Sequence, residues 1–456
     1  MGRNLYDLRF GRSNGGVSVT NQKAQLIRGI GAIGGSFLVL NGMIGAGIFA
    51  LPSAVAARAG ILSPWLFVAA GLLIILIVLA FAELGSYFKD SGGPALYSTT
   101  AFGPVVGFGT SWIYYVSRIA STAANSHAIA LYLGSVGTAW AWFDTPAGHA
   151  VVVTVVIGGL TLINVLGVKD SIRTLALFTF FKVVPLVMLI ALGLQFVSPD
   201  VLFPDTLPTI DDPGGTMLLL FYAFIGFEAI VMTAGETKNP RRTIPMAMLK
   251  TVLIITVLYF LIMLVYVVAL PDELDSGGTL ADVASKIFGP VGAVVIALTA
   301  VFSIGGNLAG SVLSASRLTL SMSEQQLLPG WFGRIHPRYA SPANSVLFFG
   351  GIALVVALSG TFVKLAIAST LTRMIVYSVS IAALPIIKKR ADPEVVANAF
   401  RLPGGYTIPV IALGLCIWIA SHSKLESWLF TGGLLLVGLV LFGVEKLLLG
   451  RSQSTS

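Results

Sequence analysis

The chain has 456 residues, of which 56% are hydrophobic and 11% are Asp, Glu, Lys or Arg; its formal net charge is +8 and its mean hydropathy +0.90. A water-soluble protein carries about 25% charged residues, so a soluble enzyme and a nucleic-acid binder are excluded. The apolar residues run continuously instead of alternating, which excludes an outer-membrane barrel and leaves an all-α polytopic protein of the lipid bilayer.

Residues 1–29 are polar and lack the basic-then-apolar leader of a secretory signal peptide. The first span is therefore expected to act as its own targeting signal. Twelve transmembrane helices are predicted, near 30–55, 64–88, 94–135, 148–168, 172–198, 214–236, 243–270, 288–320, 342–359, 362–387, 406–422 and 427–448. The third and eighth windows exceed a bilayer thickness and are expected to tilt or to project into water.

The first span reads GSFLVLNGMIGAGIFALPSAVA, with Gly42, Gly45 and Gly47 at its centre and Pro52 after them. The sixth reads MLLLFYAFIGFEAIVMTAGE, with Gly226 and then Glu228 in its middle. Glycine weakens a helix and bares its backbone, and at membrane depth unwound backbone survives only inside protein or along a cavity. Small residues also serve as packing faces. Interruptions at matching places in two halves of a chain, however, point to a transporter binding site. A broken helix offers free N–H groups, which suit a carboxylate, and free carbonyls, which suit an ammonium. A molecule carrying both is an α-amino acid.

Charge predicts the orientation. With the N-terminus inside, most of the 28 basic residues fall on the cytoplasmic side, including Arg3 to Arg28, Lys169, Lys238, Arg241, Arg242 and Lys388 to Arg390. The other side holds only Arg58, Lys286, Lys364 and Lys424, beside acidic stretches from Asp200 to Asp212 and from Asp272 to Asp282. Excess Lys and Arg marks the cytoplasmic side, so both termini are expected there. The spans themselves contain Arg118, Lys182, Arg373, Glu83 and Glu228, and an ionisable group in a membrane is a functional candidate by default. Glu83 stands near the end of span 2, within reach of water or a loop base. For Arg118 and Glu228 a structural or gating pair is expected. The alternatives are an Arg118 that meets an acidic group on the substrate, or a pair that opens on protonation.

Cys416 is the single cysteine and sits in an apolar run. His127, His149, His336 and His422 are too far apart in sequence to suggest a metal cluster. No GxxxxGK[ST] phosphate loop is present, so ATP-driven transport is not expected. No cofactor, metal or obligate protein partner is predicted, and no catalytic cluster argues for an enzyme.

Four stretches resemble the amino acid–polyamine–organocation superfamily of permeases, over nearly the whole chain. They are NGMIGAGIFALPS in span 1, AELGSYFKDSGGPALY after span 2, FIGFEAIVMTAGETKNPRRTIPMA in span 6 and the loop after it, and SASRLTLSMSEQQLLPGWFGRIHPRYASP after span 8. In the last, Ser323, Glu324, Gln325 and Gln326 depart from the family's usual Arg-Asp-Gly. The resemblance implies a leucine-transporter-type fold of two inverted five-helix repeats, with discontinuous helices 1 and 6 and alternating access to a midplane site. It divides the chain into a cytoplasmic segment 1–29, repeats 30–200 and 201–390, and peripheral helices with a short tail at 391–456. It implies a substrate carboxylate at the N–H groups of Gly45, Ala46 and Gly47. The amino group would meet the carbonyls of Ile44, Ala223, Phe224 and Ile225. Tyr222 and Phe227 are candidate aromatic walls and Ser311 a pocket residue. Lys182 matches the lysine of sodium-independent members, an ammonium in place of bound sodium that bridges spans 1, 5 and 8 and could release a proton during the cycle. The expected function is sodium-independent amino acid transport across the plasma membrane, by proton symport or exchange. A substrate sensor or channel on the same fold is the alternative.

Overall fold

The computed structural model describes residues 30–167, 172–197, 209–210, 212–274, 277–402 and 404–454. The expected cytoplasmic segment 1–29, Lys169, and the acidic residues Asp200 and Asp211 lie outside the described residues. Regular structure among the described residues is helical, apart from one parallel bridge between Ile30 and Thr237.

The helices, in chain order, are α1 (Ala32–Met43), α2 (Ala46–Ala59), α3 (Ser63–Tyr87), α4 (Pro94–Phe102), α5 (Pro104–Gly134), α6 (Pro146–Leu166), α7 (Ile172–Gly193) and α8 (Pro213–Phe224). A tighter 3₁₀ segment, Phe227–Glu236, follows α8. Then come α9 (Pro240–Ala269), α10 (Leu280–Phe288), α11 (Pro290–Glu324), α12 (Ala343–Ser359), α13 (Phe362–Arg390), α14 (Pro393–Asn398), α15 (Thr407–Ser421) and α16 (Leu425–Ser454). Many begin on proline, which lacks only an N–H that a first turn leaves unbonded and is pre-set to helical φ. Polar caps close other ends: Asp212 accepts from the Gly215 N–H at 2.8 Å, and Thr279 and Asp282 form a reciprocal capping box ahead of α10.

Eight helical stretches among the described residues are long and apolar enough to cross a membrane, fewer than the twelve windows predicted. The shortfall has local causes. Helix α1 has 12 residues, α12 has 17 and α15 has 15, and the long α5 carries Arg118, Asn125 and His127 among many Ser and Thr. The third window, 94–135, also proves not to be one helix. Gly103 adopts φ 90°, a left-handed conformation open to glycine, and divides α4 from α5 ahead of Pro104. The eighth window keeps its length as α11, with the amphipathic α10 as a separate helix before it.

Helix α3 lies along α9, and α5 lies along α13 and α11. Within that bundle the core is apolar and continuous, from Val39 and Phe49 through Phe81 and Tyr115 to Tyr259 and Tyr377. Large apolar side chains also point outward, among them Leu72, Val155, Leu253, Val355 and Leu436. In water such a surface drives association; against lipid chains it is the expected exterior. Within Leu425–Leu448 of α16, only 17% of the apolar 18-residue window is buried, so this stretch adds little to the core.

Candidate substrate site between two broken helices

Helix α1 stops at Met43. Ile44 (φ −78°, ψ 85°) and Gly45 (φ −119°, ψ −138°) are non-helical, and α2 restarts the span at Ala46. The sixth span breaks likewise: α8 stops at Phe224, Ile225 is extended, and Gly226 has φ 117°, which a side chain would strain. The two breaks meet. A Cβ on Gly42 would lie 2.7 Å from the Gly226 carbonyl oxygen, and one on Gly47 would lie 2.8 Å from the Ala223 Cα. The glycines thus serve close packing and unwinding at once. Near the start of α1 the spans are stitched again, as the Ile30 N–H donates to the Glu236 carbonyl at 3.0 Å and the Lys238 N–H to the Ile30 carbonyl at 2.8 Å.

The first N–H groups of a helix and its last carbonyls have no partner within that helix. Ala46 and Gly47 open α2, where the helix dipole is positive; Ala223, Phe224 and Ile225 stand at the end of α8, where it is negative. Contact between Gly47 and Ala223 puts these opposite ends side by side. Two of the expected groups are engaged already. The Gly45 N–H donates to the Met43 carbonyl at 2.9 Å, and the Ile44 carbonyl accepts from Lys182 Nζ at 3.2 Å and from Ser303 Oγ at 3.5 Å.

Lys182, only 2% exposed on α7, also donates to Asn41 Oδ1 at 2.5 Å. Both acceptors are neutral oxygens at the negative end of α1. The Lys182 side chain therefore closes the end of α1, and with Ser303 it links α1, α7 and α11. From Asn41 a polar chain crosses the bundle. Asn307 Nδ2 donates to the Asn41 and Gly42 carbonyls at 3.4 and 3.3 Å, Asn125 Nδ2 donates to Asn307 Oδ1 at 3.2 Å, and Tyr222 Oη donates to Asn125 Oδ1 at 2.6 Å. Tyr222 also contacts Ser121 Oγ at 3.3 Å. Sequence reasoning missed Asn41, Asn125, Asn307, Ser121 and Ser303; the signal for three of them was an amide in an otherwise apolar span.

Glu228 is not paired with Arg118 as expected. Its Oε1 accepts from Arg373 Nη1, and both side chains are 1% exposed. Its Oε2 accepts from Tyr377 Oη at 2.8 Å and from the Gly226 N–H at 3.1 Å. Arg373 Nε donates to Ser117 Oγ at 2.8 Å, and its guanidinium lies 4.1 Å from the Tyr114 ring centroid. The break in the sixth span is thus capped by its own carboxylate and tied to α13. Arg118 instead donates to Ser311 Oγ at 3.3 Å, and its buried Nε has no partner among the described residues. Phe227 is fully buried against Phe81 and Tyr377, on the Glu228 side of the break. Glu83, also in a span, accepts from Lys388 Nζ at 2.9 Å and from the Leu402 N–H at 3.3 Å, so the base that reaches it comes from the last turn of α13, not from a loop.

The amino acid permease family pattern matches residues 30–422. The chain is 28% identical over 436 residues to the methylthioribose transporter of Bacillus subtilis, covering 91% of this chain and 92% of that protein. It is 28% identical over 433 residues to the serine/threonine exchanger SteT of the same organism, covering 91% and 97%. It is 26% identical over 455 residues to the branched-chain amino acid permease BcaP, also from Bacillus subtilis, covering 93% and 94%. With both broken spans and every residue of the polar chain inside the matched range, the chain belongs to the amino acid permease family.

Proposed function

We propose that the chain is a secondary transporter that moves an α-amino acid across the plasma membrane by alternating access. The observation that carries this reading is the juxtaposition of the α2 N-terminus and the α8 C-terminus at Gly47 and Ala223. An α-carboxylate fits the Ala46 and Gly47 N–H groups, and an α-ammonium fits the carbonyls of Ala223, Phe224 and Ile225. Tyr222 stands beside them on α8, and Ser311 of α11 accepts from Arg118 of α5.

Lys182 takes the place of a coupling sodium, and the transport is sodium-independent. Its bonds to Asn41 and Ile44 support this, since they hold the arrangement of α1 that a bound cation would hold. Coupling is by proton symport or by exchange, with Lys182 as the proton carrier and the Glu228–Arg373 pair holding the sixth span. The architecture we infer is twelve spans, with repeats at 30–200 and 201–390 and peripheral helices at 391–456. Both termini are cytoplasmic, as the excess of basic residues on that side supports. The protein acts without catalysis and without an obligate partner chain.

Purified protein in liposomes, screened with labelled amino acids, tests the reading. Each substrate is run with and without a pH gradient, and with and without internal substrate. Methylthioribose, which has neither ammonium nor carboxylate, belongs in the same screen. Uptake of an amino acid supports the zwitterion site; uptake of methylthioribose alone overturns it.

A further inference from the structure

His127 and His149 are 22 residues apart in sequence, and the fold brings their rings together. Their Nδ1 atoms are 3.3 Å apart, with ring centroids 5.6 Å apart. His127 Nε2 lies 2.9 Å from the Ala357 carbonyl oxygen at the end of α12. His149 Nε2 lies 3.5 Å from Asp144 Oδ1. The three side chains line a cavity of about 550 Å³.

Protons can be counted around this chain. The Ala357 carbonyl only accepts, so His127 Nε2 carries a hydrogen. The Nδ1–Nδ1 contact holds one hydrogen, since none leaves two lone pairs opposed and two would set N–H against N–H. Those two hydrogens are what two neutral imidazoles hold, and they leave His149 Nε2 as a lone pair 3.5 Å from the Asp144 carboxylate. A proton added to that nitrogen replaces a lone pair facing a carboxylate by an ion pair, so the arrangement has a place for one shared positive charge balanced by Asp144.

We propose that His127 and His149, with Asp144, form a proton-binding site that opens on the cavity over the outer half of the first broken span. Helix α2 brings Ala50, Ser53 and Ala54 to this cavity, and the α12–α13 junction brings Thr361 and Phe362. Among the described residues no titratable group other than the two histidines and Asp144 lines it; Arg58 of α2 is absent from the lining, and Lys364 of α13 is paired with Glu426 at 3.3 Å. Phe362 packs edge-on against Tyr222, with centroids 6.0 Å apart, so the site adjoins the aromatic cover of the substrate residues. The Nδ1–Nδ1 hydrogen ties α5 to α6 there, and the added proton ties His149 to Asp144. The proposed proton-binding site is argued from the geometry of the pair; an effect on transport rests also on the proposed function.

The test is therefore a titration that needs no substrate. The full chain, made without a histidine tag, carries ¹⁵N-labelled histidine rings and the substitutions His336→Gln and His422→Gln, so that only the pair is observed in lipid nanodiscs. The expected result is a coupled titration, in which both rings respond in each of two separate steps. Asp144→Asn moves the upper step to more acid pH by roughly one unit. Asp144 is 62% exposed, so this change leaves the fold intact. His149→Gln reduces His127 to a single step. Two independent single-step titrations that ignore Asp144→Asn would overturn the proposal, as would rings that take up no proton from neutral to mildly acid pH.

Discussion

Replacing Glu228 by Gln asks the most of this structure. The carboxylate is 1% exposed and both its oxygens are committed, Oε1 to Arg373 and Oε2 to Tyr377 and the Gly226 N–H. A glutamine keeps the shape and can still accept from Tyr377 and Gly226. Its amide NH₂ then faces the Arg373 guanidinium, donor against donor, and the arginine remains buried without a counter-charge. Removing one partner of a buried ion pair costs about 3–5 kcal/mol. Arg373→Met should cost about as much, because it strands the carboxylate. The double variant strands neither, so its destabilisation should fall short of the sum of the two singles by about 2–3 kcal/mol. Unfolding by SDS in mixed micelles, followed by tryptophan fluorescence, measures all four corners of this cycle. Additivity to within about 0.5 kcal/mol would refute the argument that this pair holds the sixth span to α13.

Gly47→Val should abolish substrate binding and also lower stability, because its Cβ meets the Ala223 backbone at 2.8 Å and forces α2 from α8; ligand-induced thermal stabilisation measures both, and normal binding would show that the site lies elsewhere. Asn125→Ala removes the 2.6 Å acceptor of Tyr222 and the donor to Asn307. It should cost about 1–3 kcal/mol of stability and raise KM, and unchanged uptake kinetics would separate the polar chain from the site. Single cysteines at positions 238 and 388, in a Cys416→Ser background, should be labelled only from the inside of intact cells, and one at position 272 only from outside. Labelling of position 238 from outside would reverse the assigned topology.

The breaks in the first and sixth spans were legible because glycine and proline act locally. Gly42, Gly45, Gly47 and Gly226 stand out in runs that are otherwise branched and apolar. The same signal at Gly103 and Pro104 marks the end of α4, yet it lay inside a window whose composition alone read as one span. Partner choice was not legible. Glu228 had two arginines within spans to choose from, and the packing of α13 against α8 and α5 brings Arg373 to it, a long-range fact that no spacing encodes. The amides were missed for a related reason: a single Asn125 or Asn307 has no period, and only the meeting of α1, α5, α8 and α11 turns them into a chain. The two histidines come together in the same way, from the turn between α5 and α6.

The central claim is that the Lys182 ammonium, bonded to Asn41 and Ile44, stands where a coupling sodium would stand. Amino acid uptake into proteoliposomes, measured with sodium and with choline in its place, tests this most directly when wild type is run beside Lys182→Ala and Lys182→Arg. The account predicts equal wild-type uptake in both salts and loss of uptake in Lys182→Ala at normal insertion. Lys182→Arg should also be impaired, because a guanidinium keeps its charge and does not release a proton. A strict sodium requirement in wild type, or full activity of Lys182→Ala, would contradict it.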